Sequence, residues 1–378
     1  MNKNQTTRKT RHDYRRLTRY DKRSNDAAIG CCALVQMENF AMTTPRPRPQ
    51  PNQYKDVEHE FAQYVRILGK GKRGSRSLTF DEAMQAFGLI LDGKVLDVQL
   101  GAFLSLLRIK EESVDELAGF VTATRQRLNL PTIAVDLDWS SYAGKRKHYP
   151  WFLLSALLLA KHGVRVVMHG ASGHTINRLY TEDVLPALGH PICQSGDEVA
   201  SALARCNFAY LPLRVFSPVL GEIIDLRNVL GLRSPVHTLS RLINPFDAAV
   251  TLQSIFHPAY RASHQQTALR LGYQNGAVIK GEGGEFERNP DARTLVLGIK
   301  NGEGYETEWP MLNDDRSDVE EAFDLAHYLA VWRGEVQHAY GEQAVVGTLA
   351  IALTALQKAT DMDQAMQMAQ QMWDGRLV

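Results

Sequence analysis

Residues 81–126 read DEAMQAFGLILDGKVLDVQLGAFLSLLRIKEESVDELAGFVTATRQ, and this stretch decides the fold. Thr79 stands just before it, with Glu82 three residues on. In that arrangement the hydroxyl and the carboxylate each accept a backbone N–H at a helix start. The helix so predicted ends at Asp92-Gly93, a dipeptide that marks a turn. A second helix is predicted over about Asp97–Arg108, and Ser113 with Glu116 repeats the capping pattern ahead of a third that runs to about Leu128. Upstream, Phe61, Tyr64, Val65 and Leu68 share one helical face, and the segment GKGKRGSRS, Gly69–Ser77, ends that helix. A small helical domain over residues 54–130 follows.

Beyond Pro131 the pattern changes. Strands are predicted at Ile133–Leu137, Val164–Met168, Phe208–Leu211, Leu252–Ile255, Ala277–Lys280 and Thr294–Ile299. Helices are predicted at Trp151–His162, Thr181–Leu188, Asp225–Leu230 and Ser234–Leu242, and again from Asp318 to Trp373 with a long apolar helix at Ala344–Leu356. Alternation of this kind implies a mainly parallel sheet with flanking helices. The fold class expected is therefore α/β, with a small N-terminal helical domain, joined by helices from residues 214–245, and a larger α/β domain over 131–378.

Of the 378 residues, 44% are hydrophobic and 22% charged, ordinary proportions for a soluble globular protein. The longest apolar run, Trp151–Ala160, falls short of the roughly 20 residues a membrane-spanning helix needs, and reads as a buried helix. Cys31, Cys32, Cys193 and Cys206 form no CxxC pair and suit neither a zinc site nor a disulfide scaffold, so reduced thiols are expected. No apolar segment follows the basic start, so no signal peptide is read and a cytoplasmic location is expected.

The formal net charge of +1 hides an asymmetry. Nine Lys and Arg lie between Lys3 and Arg23, against Asp13 and Asp21. The Pro-rich run TTPRPRPQPNQ, Thr43–Gln53, follows, and residues 1–53 read as a disordered arm and linker. Two readings of the arm stay open. It adds phosphate contacts on a nucleic acid, or it reflects a start codon assigned upstream of Met37 or Met42.

Several spaced residues in the opening stretch carry a family likeness: Asp92-Gly93, Gly101-Ala102-Phe103-Leu104, Leu107-Arg108-Ile109-Lys110-Glu111 and Glu116-Leu117-Ala118-Gly119-Phe120. They resemble the helical domain of the anthranilate phosphoribosyltransferase structural family, glycosyltransferase family 3. A weaker likeness continues through Leu230-Gly231-Leu232-Arg233, Leu242-Ile243-Asn244-Pro245, Lys280–Glu285 and the closing helices, so that it covers about residues 58–375. The resemblance implies a two-domain protein, often dimeric through the helical domain, that holds a ribose-pyrophosphate donor and magnesium in the interdomain cleft.

The family's chemistry is only partly present. Its diphosphate cradle is a GTGGD loop after the first strand, where glycines let backbone N–H groups approach phosphates. Here that loop reads Trp139-Ser140-Ser141-Tyr142-Ala143-Gly144-Lys145-Arg146-Lys147, and only Gly144 remains. Of the family's KHGNR motif, His169-Gly170 persists. Its metal-holding HGEDGLDE corresponds to Lys280–Glu287, where Phe286 replaces the aspartate and Glu287 stays. Phenylalanine cannot ligate magnesium, which takes oxygen ligands. The family's histidine before proline is Ser217 here, ahead of Pro218. Gly144, His169, Gly170 and Glu287 thus read as vestiges, with no catalytic residue and no metal ligand expected. The loop Ser141–Lys147 and the run Val167-Met168-His169-Gly170 resemble the YbiB-like branch, whose described behaviour is non-specific binding of DNA and RNA.

Candidate phosphate contacts are Lys70, Lys72, Arg73 and Arg76 in the first basic loop, and Lys145, Arg146 and Lys147 in the second. Arg214, Arg227, Arg233 and Arg241 come from segments that border the same cleft in the family. Cations along a groove release counterions from a polyanion and give salt-sensitive, sequence-independent affinity. Tyr142, Tyr149 and Trp151 are candidate stacking faces for bases, and a helix start after Lys147 is expected to favour an anion. The plainer readings are solvated charge, ion pairs of Arg227 and Arg233 with Glu222 or Asp225, and core positions for Tyr149 and Trp151. The function expected is non-enzymatic, largely sequence-independent binding of DNA or RNA through a basic interdomain groove, by a cofactor-free homodimer. The alternative is a phosphoribosyltransferase with an altered acceptor, in which Glu282, Glu285 and Glu287 hold magnesium and Lys145 meets the pyrophosphate.

Overall fold

The computed structural model describes residues 53–314, 317 and 323–377. The basic arm with Cys31 and Cys32, and the helix start read at Asp318, lie outside the described residues.

Four helices come first: α1 (Ala62–Gly69), α2 (Phe80–Leu91), α3 (Asp97–Lys110) and α4 (Val114–Arg125). Both expected capping boxes form. Thr79 Oγ1 accepts from Glu82 N at 3.2 Å and Glu82 Oε2 accepts from Thr79 N at 2.9 Å. Ser113 and Glu116 repeat the exchange at 3.2 and 2.8 Å. Glu116 does more than cap its helix. Fully buried, it also accepts from Leu78 N at 2.9 Å and Lys110 Nζ at 2.7 Å. One carboxylate therefore fastens the entry to α2, the end of α3 and the start of α4. Phe61, Phe87, Phe103 and Phe120 fill the space between the helices. Gly119 lets α4 lie close on α2, because a Cβ there would stand 2.6 Å from Phe80 O.

The chain then alternates: β1 (Leu137–Ser141), α5 (Trp151–Lys161), β2 (Val166–Gly170), α6 (Thr181–Val184), α7 (Gly196–Cys206) and β3 (Phe208–Pro212). Four short helices follow, α8 (Leu213–Phe216), α9 (Pro218–Asp225), α10 (Arg227–Leu230) and α11 (Val236–Leu239). Leu220, Ile223 and Val236 from this segment join the apolar cluster of the first four helices. Next come β4 (Val250–Ile255), α12 (Tyr260–Arg270), β5 (Asn275–Lys280), β6 (Thr294–Lys300) and β7 (Glu303–Trp309). The described chain closes with α13 (Leu325–Trp332), α14 (Ala339–Ala355) and α15 (Met362–Asp374). The strands form a seven-stranded sheet ordered β3-β2-β1-β4-β5-β6-β7. Its first five strands are parallel, and β6 and β7 join antiparallel. The architecture is the expected one, a small helical domain and a larger α/β domain with a mainly parallel sheet. Apolar α5 is the buried helix read from the sequence, packed with α14 in the main core.

Several elements differ from expectation. The first strand runs Leu137–Ser141 rather than Ile133–Leu137. Its polar residues disguise it, yet each is buried with a partner. Asp138 meets His169, Ser140 Oγ donates to Leu252 O at 3.2 Å, and Ser141 Oγ lies 2.8 Å from Thr181 Oγ1. Helices α7 and α12 and edge strand β7 were not expected. Strand β7, EGYETEW, turns most of its charged side chains to solvent, a common property of sheet edges. Cys193 and Cys206 are free thiols. No described helix is long and apolar enough to cross a membrane.

Replacing Glu116 with Ala strips three donors, one buried and two partly buried, of their acceptor at once. Urea denaturation is expected to show a loss of about 3 kcal/mol in unfolding free energy, with no change in the slope of the transition.

Candidate functional site

Two loops meet at the carboxyl ends of the parallel strands, the place where open α/β sheets take ligands. One follows β1 (residues 142–150) and the other follows β5 (residues 281–288). Gly144 adopts a left-handed φ of 68°, and the backbone N–H groups of Ala143 and Gly144 turn toward one point. A pair of successive amides so arranged is an anion nest. Glu285 fills it. Its Oε1 accepts from Ala143 N at 2.7 Å and Gly144 N at 2.6 Å, and the residue is 1% exposed. Burial raises the Glu285 carboxyl above its ordinary value, against the pull of Arg241 and the two amides.

Beside it, the ammonium of Lys145 is buried between Glu282 and Glu287. It lies 2.5 Å from Glu287 Oε1, and Glu287 Oε2 accepts from Phe152 N, at the start of α5, at 2.9 Å. Two carboxylates thus face one ammonium. Burial, with Glu282 adding to it, pushes Glu287 up to about 7 although Lys145 pulls the other way. Glu282 suffers burial too, yet Lys145 holds it below the ordinary range.

This arrangement does not fit the family's donor and metal. The amides that would meet a diphosphate already bind Glu285, and an ammonium occupies the space between the two carboxylates a divalent ion would bridge. Phe286, at the family's aspartate position, is buried against Trp139 with ring centroids 5.5 Å apart. The α5 start expected to favour an external anion is spent on Glu287. Ser217 stands directly ahead of α9, before Pro218.

His169 and Gly170 end β2. Tyr142 Oη lies 2.8 Å from His169 Nδ1, and Asp138 Oδ1 lies 3.3 Å from Nε2, all out of solvent. Arg241 lies over the Tyr142 ring at 5.6 Å. Tyr142, Tyr149 and Trp151 are all buried, which agrees with the core reading of Tyr149 and Trp151 and corrects the reading of all three as stacking faces. Phe256, just past β4 and 49% exposed, is the aromatic that the site offers instead.

The predicted cations divide. Lys145 is buried and cannot meet a ligand. Arg76 clamps Glu82 with contacts of 2.6 and 2.7 Å, drawing that carboxyl down to about 2. Arg214 pairs with Glu182 at 2.8 Å. Arg227 donates to His174 O and Thr175 Oγ1 at 2.6 and 2.7 Å rather than pairing with Glu222 or Asp225. Lys70, Lys72 and Arg73 are exposed, but their loop lends no residue to the two cavities that follow.

A cavity of about 570 Å³ opens beside the latched loops, lined by Arg146, Lys147, Arg178, Arg261, Lys280 and Arg293. Its two carboxylates are engaged, Glu282 by Lys145 and Glu308 by Arg293 at 3.1 Å. Arg178 donates to the carbonyls of Ala143, Gly144 and Gly283. Arg146, Lys147 and Lys280 are exposed and make no hydrogen bond or ion pair among the described residues. Phe256 lines this cavity and also a second, of about 90 Å³, which holds Arg108, Arg233 and Arg241. Sequence reasoning found Arg146, Lys147, Arg233 and Arg241. It missed Arg108, Arg178, Arg261, Lys280, Arg293 and Phe256, of which Lys280 and Phe256 had a usable signal, since each stands at the carboxyl end of a parallel strand.

Residues 63–128 match the helical bundle domain of a glycosyl transferase family, and residues 152–375 match that family's α/β domain. A protein of Aquifex aeolicus is 31% identical over 255 residues, 66% of this chain and 76% of the relative. The Escherichia coli K12 protein YbiB is 30% identical over 61% of this chain and 73% of its own length. Anthranilate phosphoribosyltransferase of Methylocella silvestris is 30% identical over 62% and 68%. Among solved structures, anthranilate phosphoribosyltransferase of Thermus thermophilus superposes with a TM-score of 0.68 at 22% identity, covering 85% of this chain and 96% of that one. The Saccharomyces cerevisiae enzyme in complex with PRPP and Mg gives 0.66 at 15% identity, covering 84% and 94%. At these identities the structures establish the fold.

The raised Glu287 carboxyl generates a pH dependence. Its folded value of about 7 lies above the ordinary 4.5, so its stabilising contribution is complete below pH 4.5 and disappears as pH rises through 7. Thermal melts at about pH 5 and about pH 8 are expected to show a smaller drop in midpoint for Glu287→Gln than for the unaltered protein.

Proposed function

The chain belongs to this glycosyl transferase family, with YbiB-like and anthranilate phosphoribosyltransferase-like relatives, and from that premise we propose that its cleft binds the phosphates of a polynucleotide instead of transferring a ribose. The observation that carries the proposal is the cavity beside the latched loops, where six cations gather and three of them, exposed, have no partner of their own among the described residues. Groups so placed neutralise a row of phosphates and release counterions. Phe256 adds an exposed ring on which a base can stack. No side chain in the cavity is arranged to read base edges, so weak sequence preference is expected. The reading is non-enzymatic and cofactor-free, because Glu285 and Lys145 occupy the positions of the family's diphosphate nest and metal, and a cytoplasmic location is proposed with it.

A second reading is a phosphoribosyltransferase with an altered acceptor. The relatives favour it more directly than the first, since several of them are anthranilate phosphoribosyltransferases and none of those described above is named for a nucleic acid. It requires Glu285 to leave the amides and Lys145 to swing clear of Glu282 and Glu287.

We further propose a homodimer through the helical domain. Val98 and Ile109 stand 64% and 81% exposed about three turns apart on one side of α3, and Val229 of α10 is 80% exposed. Leu230, beside Val229, approaches α3 at Gly101. A second copy of the chain covers this apolar strip in the proposal. Light scattering is expected to give twice the chain mass for the unaltered protein and a monomer for Val98→Asp with Ile109→Asp; a monomer without the substitutions refutes the dimer.

Fluorescence-anisotropy titration with single-stranded and duplex oligonucleotides separates the two functions. Saturable binding is expected that weakens steeply with salt. Replacing Arg146, Lys147 and Lys280 with Ala together is expected to weaken all sequences alike and to reduce the log–log salt slope by about 3. Absence of salt-dependent binding, with loss of anthranilate fluorescence on adding a ribose-pyrophosphate donor, establishes the transferase instead.

A further inference from the structure

Behind Phe256, the cavity of about 90 Å³ is walled by α11 and its flanks, the end of β4 and the start of α12. It is far smaller than the pockets of about 300 Å³ or more that enclose a nucleotide-sized ligand. Arg108, Arg233 and Arg241 bring three guanidinium groups to it, and no Asp or Glu lines it. Arg108 donates to Tyr260 Oη at 3.0 Å, and Arg241 donates to His237 O. Arg233 makes no hydrogen bond or ion pair among the described residues. Burial, followed by the fields of Arg227, Arg241 and Arg178, pulls it down to about 10.

Three residues that line it, Ser234, His237 and Ser254, each carry a buried polar atom without a partner among the described residues: Oγ, Nε2 and Oγ. Their residues are 4%, 8% and 1% exposed. Buried hydroxyls and ring nitrogens are nearly always hydrogen-bonded, and three exceptions fall on residues that line one small space beside an unpaired guanidinium.

We propose that this cavity is a discrete site for one protonated tetrahedral oxyanion, hydrogen phosphate or a phosphate group carrying a proton. Arg233 and the two serine hydroxyls donate to its oxygens, with Arg241 and Arg108 supplying further positive charge. His237 sets the proton requirement. Its Nδ1 faces Ser234 O at 3.3 Å and must donate to that carbonyl, so the neutral ring presents a lone pair at Nε2. His174, stacked edge-on at 5.2 Å, and Arg233 and Arg241 all disfavour a charge on this ring, after burial itself. Nε2 therefore accepts a hydrogen bond from the ligand's P–OH. Hydrogen phosphate carries that proton near neutral pH; sulfate does not. The site uses residues separate from the unpaired cations of the larger groove and stands apart from the nucleic-acid reading.

Thermal melts of the intact chain with inorganic phosphate or sulfate at matched ionic strength test it. Phosphate is expected to raise the midpoint saturably, and sulfate to raise it less at every concentration. Arg233→Met relieves repulsion among the guanidinium groups, so its phosphate-free midpoint is expected to equal or exceed that of the unaltered protein while the phosphate shift disappears. Ser254→Ala is expected to need several-fold more phosphate for half the shift. No phosphate shift in the unaltered protein, an undiminished shift in Arg233→Met, or equal shifts by phosphate and sulfate each overturn the proposal. A 5′-phosphorylated oligonucleotide compared with its unphosphorylated twin identifies the source. Tighter binding of the former, lost in Arg233→Met, assigns the site to a polynucleotide end, and equal binding assigns it to free phosphate. Oligonucleotide binding without a phosphate shift sinks this site alone, whereas a phosphate shift without oligonucleotide binding sinks the nucleic-acid reading alone.

Discussion

A buried ammonium between two glutamates, next to a buried carboxylate on two backbone amides, holds the loops after β1 and β5 together. The rest of the site depends on this latch. Removing one partner of such a group leaves an uncompensated charge away from water, which costs about 3–5 kcal/mol in stability. The latch therefore favours the arrangement seen here, in which Lys145 turns inward. Its neighbours Arg146 and Lys147 are left facing solvent beside Lys280. The latch thus occupies the amides and carboxylates at which the family likeness would place a donor and metal, and it borders the basic cavity outside.

The electrostatics of the cleft follow from an imbalance. Acids near the latch are consumed by Lys145 or by backbone amides, and the carboxylates on the surface side are consumed by Arg293 and Arg214. What remains is positive: three exposed cations in the larger cavity and an unpaired Arg233 in the smaller one. A chain of formal charge +1 can carry such a field only because its acidic residues lie elsewhere. An excess of one sign in a concave region attracts ligands of the other, and this is the ground on which phosphate, alone or in a chain, is proposed for both cavities.

Local signals were legible and distant ones were not. The capping boxes at Thr79 and Ser113 involve residues three apart, and the structure has both. The apolar run of α5 declared its own burial. By contrast, the strand LDWSS looks too polar for the middle of a sheet until the partners of Asp138, Ser140 and Ser141, up to 112 residues away, are known. Lys145, Arg146 and Lys147 look alike in sequence. Only contacts 137 and 142 residues distant separate the inward lysine from the outward pair. The aromatics failed for the same reason, since Tyr142 and Phe256 follow strands in similar ways and tertiary packing alone hides one and exposes the other.

Calorimetric titration of the intact chain with a ribose-pyrophosphate donor in magnesium tests the latch directly. With Glu285 on the nest and Lys145 between the carboxylates, no magnesium-dependent heat of binding and no donor-dependent change in oligonucleotide affinity are expected. Stoichiometric binding of the donor that requires magnesium would contradict this arrangement.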